Sequence, residues 1–169
     1  MIRAALPHEI RLLPQIENAA DRRFARVGLQ RVVDMPVHSV AALEHGRRDD
    51  LLWVGVSPRG HVVGFALMEI KRGTALVEQL SVLDRWQGRG VGSALLERCA
   101  ETARARGHEC LYLTTYRDVA WNRPFYERRG FTEVTRGMLN RTLRGVLLSE
   151  VRHGHPVWRR AVMKYKRHG

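Results

Sequence analysis

Apolar and polar positions follow two rhythms along the chain. Three apolar runs, Leu51–Val56, His61–Ile70 and Thr74–Val82, are separated by Ser57–Pro58–Arg59–Gly60 and Lys71–Arg72–Gly73. Short apolar runs bounded by Gly, Pro and Ser predict strands. Turns this short fix them as an antiparallel meander, because a parallel crossover needs about a dozen residues or more. The rhythm then becomes helical. Val91, Ala94, Leu95, Cys99 and Ala103 fall on one face, with Glu97, Arg98, Glu101 and Arg104 mostly outside. Gly107 suits the position just past the helix end. Cys110–Thr115 is the next strand, so Thr74–Thr115 predicts a strand–helix–strand crossover joining parallel strands.

Before the meander, Ile2–Leu6 reads as a short strand. Pro7 then opens a helical pattern carried by Ile10, Leu13, Ile16 and Ala20. Residues 21–46 have the weakest pattern, with a short helix expected around Ser39–Glu44. After the crossover, a short helix around Arg123–Arg129 is closed by Gly130, and Phe131–Val134 is a strand. Leu139, Leu143, Val146, Leu147 and Val151 recur at helical spacing, His153–Gly154–His155–Pro156 breaks that helix, and Val157–Tyr165 predicts a final strand. With no internal repeat and no linker, residues 1–169 are expected to be one domain, of which 136–169 form a basic helix and strand.

The 169 residues are 44% hydrophobic and 27% charged, which excludes global disorder. No apolar run approaches the ~20 residues of a membrane span, and the first residues lack the order of a signal peptide. Cys99 and Cys110 have no CxxC spacing, so neither a disulfide framework nor a zinc ribbon is indicated. A reducing, cytoplasmic location and no membrane partner are therefore expected. The net charge of +12 is unusual, and residues 136–169 contribute 9 basic side chains against 1 acidic. Such charge suggests a polyanionic partner. The basic residues lack the aromatic interleaving and the zinc-finger spacing of common nucleic-acid modules, so nucleic acid is not the expected partner.

The most informative segment is Gln87–Gly88–Arg89–Gly90–Val91–Gly92–Ser93, between a strand and a helix. Glycines let a backbone approach a ligand. Successive N–H groups at a helix start lack intrahelical acceptors and, with the helix dipole, form an anion cradle. Arg85 and Arg89 add charge. A phosphate or pyrophosphate is the expected ligand. The GxGxxG register of a dinucleotide site fails at Ser93, and the Gly-Lys-Ser/Thr of a P-loop is absent.

Gln87–x–x–Gly90–x–Gly92, after a strand ending Leu80–Ser81–Val82, resembles the acetyl-CoA loop of the GNAT N-acetyltransferase superfamily. Phe125–Tyr126–Glu127–Arg128–Arg129–Gly130–Phe131 resembles that family's second signature, an aromatic–Tyr pair followed by Gly-Phe. The element order matches to about Val134, roughly four fifths of the chain. The resemblance implies an α/β (α+β) fold with a central mixed, mostly antiparallel sheet flanked by helices, and splayed parallel strands at the cofactor site. It implies that backbone N–H groups of Gln87, Gly88, Arg89, Gly90, Val91, Gly92 and Ser93 hold the pyrophosphate of acetyl-CoA. The main chain of Leu80 and Val82 would pair with pantetheine. Tyr126 would protonate the departing thiolate; its other reading is a half-buried aromatic with a polar tip. Where many family members carry a pantetheine-contacting Asn, seven residues before that Tyr, this chain has Val119. Asn122 is the remaining candidate for that contact, but reads first as the N-cap of the short helix, with Pro124 in its first turn.

Glu78 stands in an otherwise apolar strand, on the face of Leu80 and Val82. An amine acceptor must lose a proton before it can attack a thioester, and a carboxylate whose pKa is raised by burial suits that task. Glu78 is thus either a general base or an ion-pair partner of an arginine. Cys99 reads as core, and His153–Gly154–His155 as a turn rather than a metal site. Phe24, Asp34 and His38 read as acceptor contacts or as packing. The expected function is transfer of acetyl from acetyl-CoA to a primary amine of a small molecule or protein, by direct attack and without a metal. A non-catalytic acetyl-CoA-binding regulatory module is the alternative. A homodimer is suggested by family habit and by the surplus apolar positions of the tail.

Overall fold

A computed structural model describes residues 1–166, leaving the last three residues of the tail, Arg167 among them, outside the described part. Seven strands form one sheet, β1 (Ile2–Ala4), β2 (Leu52–Val56), β3 (Val62–Lys71), β4 (Thr74–Val82), β5 (Cys110–Tyr116), β6 (Phe131–Glu133) and β7 (Arg160–Lys166), in the order β1-β2-β3-β4-β5-β7-β6. Among the described residues, six α-helices accompany them: α1 (Leu13–Asp21), α2 (Gln30–Val33), α3 (Val40–Arg48), α4 (Val91–Ala105), α5 (Arg123–Glu127) and α6 (Arg141–Arg152). The sheet is mixed and mostly antiparallel. Its parallel pair is β4–β5, with Ala75, Leu76 and Val77 opposite Leu111, Tyr112 and Leu113. The expected crossover is therefore present, and the bounds of β4 are those the pattern predicts.

Two compact units are distinguished, residues 1–69 with 78–102, and residues 70–77 with 103–169. In the first, β2 lies antiparallel to both β1 and β3. Val54 faces Phe65, and Leu52 faces Leu67. On that side of the strands the helical pattern of Ile10, Leu13 and Ile16 is buried, together with Leu43 of α3. Burying four such side chains contributes about 1.5–3 kcal/mol each. The opposite face of β2 receives α4. Gly55 has no side chain, and an added Cβ would lie 2.7 Å from a methyl of Val91, the first residue of α4. The guanidinium of Arg98 lies 5.2 Å from the centre of the Trp53 ring on the same face. The start of α4 is thus seated by a missing Cβ on a neighbouring strand.

In the second unit β7 runs antiparallel to β5 along its whole length and also pairs with β6, Phe131 facing Tyr165. Leu139 and Leu143 pack with Leu76 and Val162 in a small apolar core. The basic tail is therefore built into the sheet and is not an appendage. Its helix is capped by Asn140, whose side chain accepts from the Leu143 N–H at 2.9 Å and donates to Thr74 at 3.2 Å.

Several boundaries differ from the sequence expectation. The first strand ends at Ala4, and Pro7–Leu12 is a 3₁₀ turn before α1. Arg22–Val27 forms another 3₁₀ turn and Gln30–Val33 a single helical turn, where no element was expected. The predicted final strand opens with a 3₁₀ turn at Val157–Arg159. Asn122 occupies the N-cap position of α5 but makes no side-chain capping bond. Its backbone lies outside the extended region, and its carbonyl instead accepts from the N–H groups of Phe125 and Tyr126, at 2.9 and 3.2 Å.

Candidate active site

Strand β4 turns into the glycine loop through a 3₁₀ turn, Asp84–Trp86, and the loop is pinned by one side chain. The Gln87 amide donates to the Val82 carbonyl at 2.9 Å and to Asp84 Oδ1 at 3.1 Å. Its Oε1 accepts from Arg23 Nη1 at 2.7 Å. The Gln87 N–H donates to the Asp84 carbonyl at 3.1 Å, so it closes the turn and is already spent within the protein. Beyond it, Gly88 (φ +70°) and Gly90 (φ +83°) adopt left-handed backbone. Nothing lies within 4 Å of a Cβ added to either. These glycines are required by conformation, with open space in front of them. The first helical bond runs from the Ala94 N–H to the Gly90 carbonyl at 3.0 Å, so by helix geometry the Val91 and Gly92 N–H groups have no intrahelical acceptor. Val91, Gly92 and Ser93 lie in this first turn. Arg89 is exposed, its guanidinium 5.4 Å from the centre of the Trp86 ring, and Arg85 is exposed as well.

The strand before the loop offers its backbone on a defined edge. The Leu83 N–H donates to the Val63 carbonyl at 3.0 Å. Gly64 lies so close to Ser81 that an added Cβ would come within 2.6 Å of the Ser81 carbonyl oxygen. Residues 81 and 83 therefore direct their polar groups to β3. By strand alternation, Leu80 and Val82 direct theirs to the opposite edge. The Val82 carbonyl there is engaged by Gln87.

Glu78 is exposed, with 45% of its side chain accessible, so the burial expected of it is not found. Residues 74–77 of β4 are buried on both faces, and the change comes at Glu78 itself. Nor does it pair with an arginine among the described residues. Its carboxylate lies 3.6 Å from Nε2 of His38, an ion-pair distance. His38 Nδ1 is 2.9 Å from Glu17 Oε1, and the His38 N–H donates to Glu17 Oε2 at 3.1 Å. Burial works to lower the His38 pKa, but the carboxylates of Glu17 and Glu78 outweigh it and raise it to about 10. Half-buried Asp21, one helical turn after Glu17, is pushed up to about 7 by burial and by the Glu17 charge. Glu17 and Asp21 were not singled out by sequence reasoning. The available signal was Glu17's position, four residues after Leu13 and within the buried stripe Leu13–Ile16–Ala20.

Asn122 and Tyr126 belong to the second unit. Tyr126 is half-buried and lies edge-on to Phe125 and Phe131, with ring centres 5.1 and 5.8 Å away. Gly130 (φ +81°) ends the segment. The weaker candidates resolve into structure. Burial pushes the Cys99 thiol up to about 12, which suits core rather than a nucleophile. Asp34 accepts from Gln30 on the surface. His153 bonds the Ser149 carbonyl, and His155 bonds the Tyr116 hydroxyl. Among the described residues no group of three or more His, Cys, Asp and Glu could hold a metal ion, and no helix is long and apolar enough to cross a membrane.

The loop geometry, an open left-handed glycine pair before a long helix, agrees with a family model described as acetyltransferase (GNAT) family, which matches residues 13–131. The chain belongs to this family. Its acetyltransferase fold recurs in solved structures of low sequence identity. The PaiA N-acetyltransferase of Thermoplasma acidophilum, solved with coenzyme A, is 14% identical, with a TM-score of 0.73 over 99% of this chain and 98% of that one. The ribosomal-protein-S18-alanine N-acetyltransferase of Escherichia coli is 19% identical, with a TM-score of 0.66 over 100% of this chain and 96% of that one. The N-acetylglutamate synthase of Neisseria gonorrhoeae, complexed with coenzyme A and N-acetyl-glutamate, has a TM-score of 0.74 and 19% identity. This acetyltransferase is covered completely by that match but spans only 35% of the synthase's length.

Proposed function

We propose that this acetyltransferase transfers acetyl from acetyl-CoA to a primary amine by direct attack, without a covalent enzyme intermediate. The observation that carries the reading is the pair of left-handed glycines, Gly88 and Gly90, opening onto free space at the start of α4. A pyrophosphate is the ligand such N–H groups and the helix dipole favour. In this reading the N–H groups of Gly88 to Ser93 hold the pyrophosphate, with Arg85 and Arg89 adding charge. Gln87 acts through its side chain, bracing the loop against Val82. The Leu80 main chain and the Val82 N–H align pantetheine. Asn122 is retained as a further cofactor contact by its place beside the second signature, since its side chain is not engaged as a cap.

The amine nitrogen forms a bond to the thioester carbonyl carbon, and the carbon–sulfur bond breaks. Glu78 takes the amine proton, directly or through water. Tyr126, assigned by its place in the second signature, gives a proton to the thiolate. The acceptor is a small molecule or a protein amine.

The test is thiol release from acetyl-CoA over a panel of free amino acids, an aminoglycoside, a polyamine and peptides with free N-termini or lysines. At least one acceptor is expected to be acetylated. Tyr126→Phe and Glu78→Gln should each lower kcat more than acetyl-CoA affinity. Calorimetric binding of acetyl-CoA with no turnover across the panel would favour the regulatory module instead, and wild-type turnover by both variants would remove the two residue assignments.

A further inference from the structure

Glu17 is a carboxylate buried to 5% exposure within an apolar helix stripe. Such a group needs strong partners, or desolvation disfavours its charge. His38 supplies two, its backbone N–H and its ring Nδ1. His38 is thereby held at two points, one on its backbone and one on its ring, and the far ring nitrogen, Nε2, lies 3.6 Å from one oxygen of Glu78, forty residues further along the chain on β4. We propose that His38 is a positioning residue that holds the Glu78 carboxylate for proton transfer, with Glu17 as the buried anchor that fixes His38. The inference rests on the reading of Glu78 as the general base.

The arrangement supplies what an exposed carboxylate lacks. Glu78 is accessible enough to meet an acceptor, but a side chain that exposed samples several rotamers, and a base must present one oxygen in one direction. His38 holds one oxygen and leaves the other for the amine proton. The charged groups around the imidazole are Glu17 and Asp21 of α1 and Glu78 of β4, with Arg23 facing Asp21. Flanked by these carboxylates, the ring stays protonated at neutral pH, so Nδ1 donates to Glu17 Oε1 while Nε2, at 3.6 Å, holds Glu78 as an ion-pair partner. When Glu78 accepts a proton, the His38 charge remains balanced by Glu17. No charge is stranded in the half-buried cluster.

Kinetic and spectroscopic measurements test this together. Acetyl-CoA and the panel amine that the wild-type protein acetylates fastest are used with His38→Asn, Glu17→Gln, Glu78→Gln and the His38→Asn/Glu78→Gln double variant, each checked for folding by circular dichroism. His38→Asn should lower kcat about tenfold and leave the KM for acetyl-CoA within twofold. Glu17→Gln, which preserves shape, should lower kcat in the same direction. The double variant should be no slower than Glu78→Gln alone, because His38 acts only through Glu78. In NMR of the histidine rings, the His38 imidazole should stay protonated well above pH 7, with a lower midpoint in Glu17→Gln. If Glu78→Gln keeps full turnover, the base assignment falls and takes this inference with it. If Glu78→Gln is slow while His38→Asn keeps wild-type kcat, only the inference falls. Losses that multiply in the double variant, or a His38 ring titrating near its ordinary pH of about 6.5, also overturn it. Should His38→Asn not fold, the Glu17→Gln kinetics and the ring titration decide.

Discussion

Arg23 donates from Nη1 to Oε1 of Gln87 at 2.7 Å, joining a 3₁₀ turn near the N-terminus to the side chain that braces the glycine loop. The same arginine acts electrostatically on Asp21. The loop and the Glu17–His38–Glu78 cluster are thus linked through Asp21 and Arg23, which lie on either side of Arg22.

Arg23→Met should weaken acetyl-CoA binding. Losing one hydrogen bond of this kind costs about 1 kcal/mol, or about fivefold in affinity. The loss should appear mainly in the KM for acetyl-CoA, because Arg23 touches the loop and not the reacting atoms. Calorimetric titration of acetyl-CoA checks it, and an unchanged Kd would refute the bracing role.

Gly64→Ala should be costly although Gly64 has ordinary backbone. Its Cβ would approach the Ser81 carbonyl oxygen to 2.6 Å and the Val82 Cα to 3.2 Å, both main-chain atoms that cannot rotate away. Overpacking of this kind costs about 1–3 kcal/mol. At about 2–4 °C per kcal/mol for a chain of this size, thermal melting resolves it. The strain enters where Leu80 and Val82 offer their backbone, so the KM for acetyl-CoA should rise as well.

Asp21→Asn should stabilise the protein in mild alkali. Burial, then the neighbouring Glu17 charge, raises the folded-state pKa of Asp21 to about 7, against an ordinary value near 3.8. The folded state therefore holds a proton that the unfolded chain has released between those values. That contribution is complete below pH 3.8 and is lost as pH rises through about 7. The amide has no proton to lose. Melting temperatures at pH 8.5 should be higher for Asp21→Asn than for wild type, with the difference shrinking as pH falls through the window and vanishing only below pH 3.8.

His155 has the opposite sign. Its ring is half-buried and its Nδ1 shares a hydrogen bond with the Tyr116 hydroxyl at 2.5 Å. Burial, then the nearby Arg160 charge, lowers its pKa from 6.5 to about 4. The stability this neutral ring contributes is present above pH 6.5 and is lost as pH falls towards 4. His155→Gln keeps an acceptor for Tyr116. It should flatten the fall in melting temperature between pH 6.5 and 4, and an equally steep fall would refute the assignment.

What was legible in the sequence had a short-range cause. The turns at Gly60 and Gly73 delimit β3 and β4, and the 3.6-residue rhythm after Gly90 marks α4. The glycine loop was readable because left-handed backbone and close ligand approach both demand glycine. The segment Arg22–Val33 was not, because only Leu29 of its apolar residues is buried and no period forms. Glu78 misled because alternation tells which face a side chain takes and not how deep that face lies. The Glu17–His38 pair had no local signature at all. Its partners are 21 residues apart, and only the odd carboxylate in an apolar stripe hinted at it.

β7 lies between β5 and β6, which precede it in the chain. During synthesis both of those strands emerge before the one that joins them exists. Until residues 160–166 have been made, β5 and β6 each present a strand edge with the β7 side unfilled, open to the wrong strand. A fusion partner attached after Gly169 would therefore sit a few residues from an interior strand of the sheet, and its bulk would bear on the last step of assembly rather than on a free end.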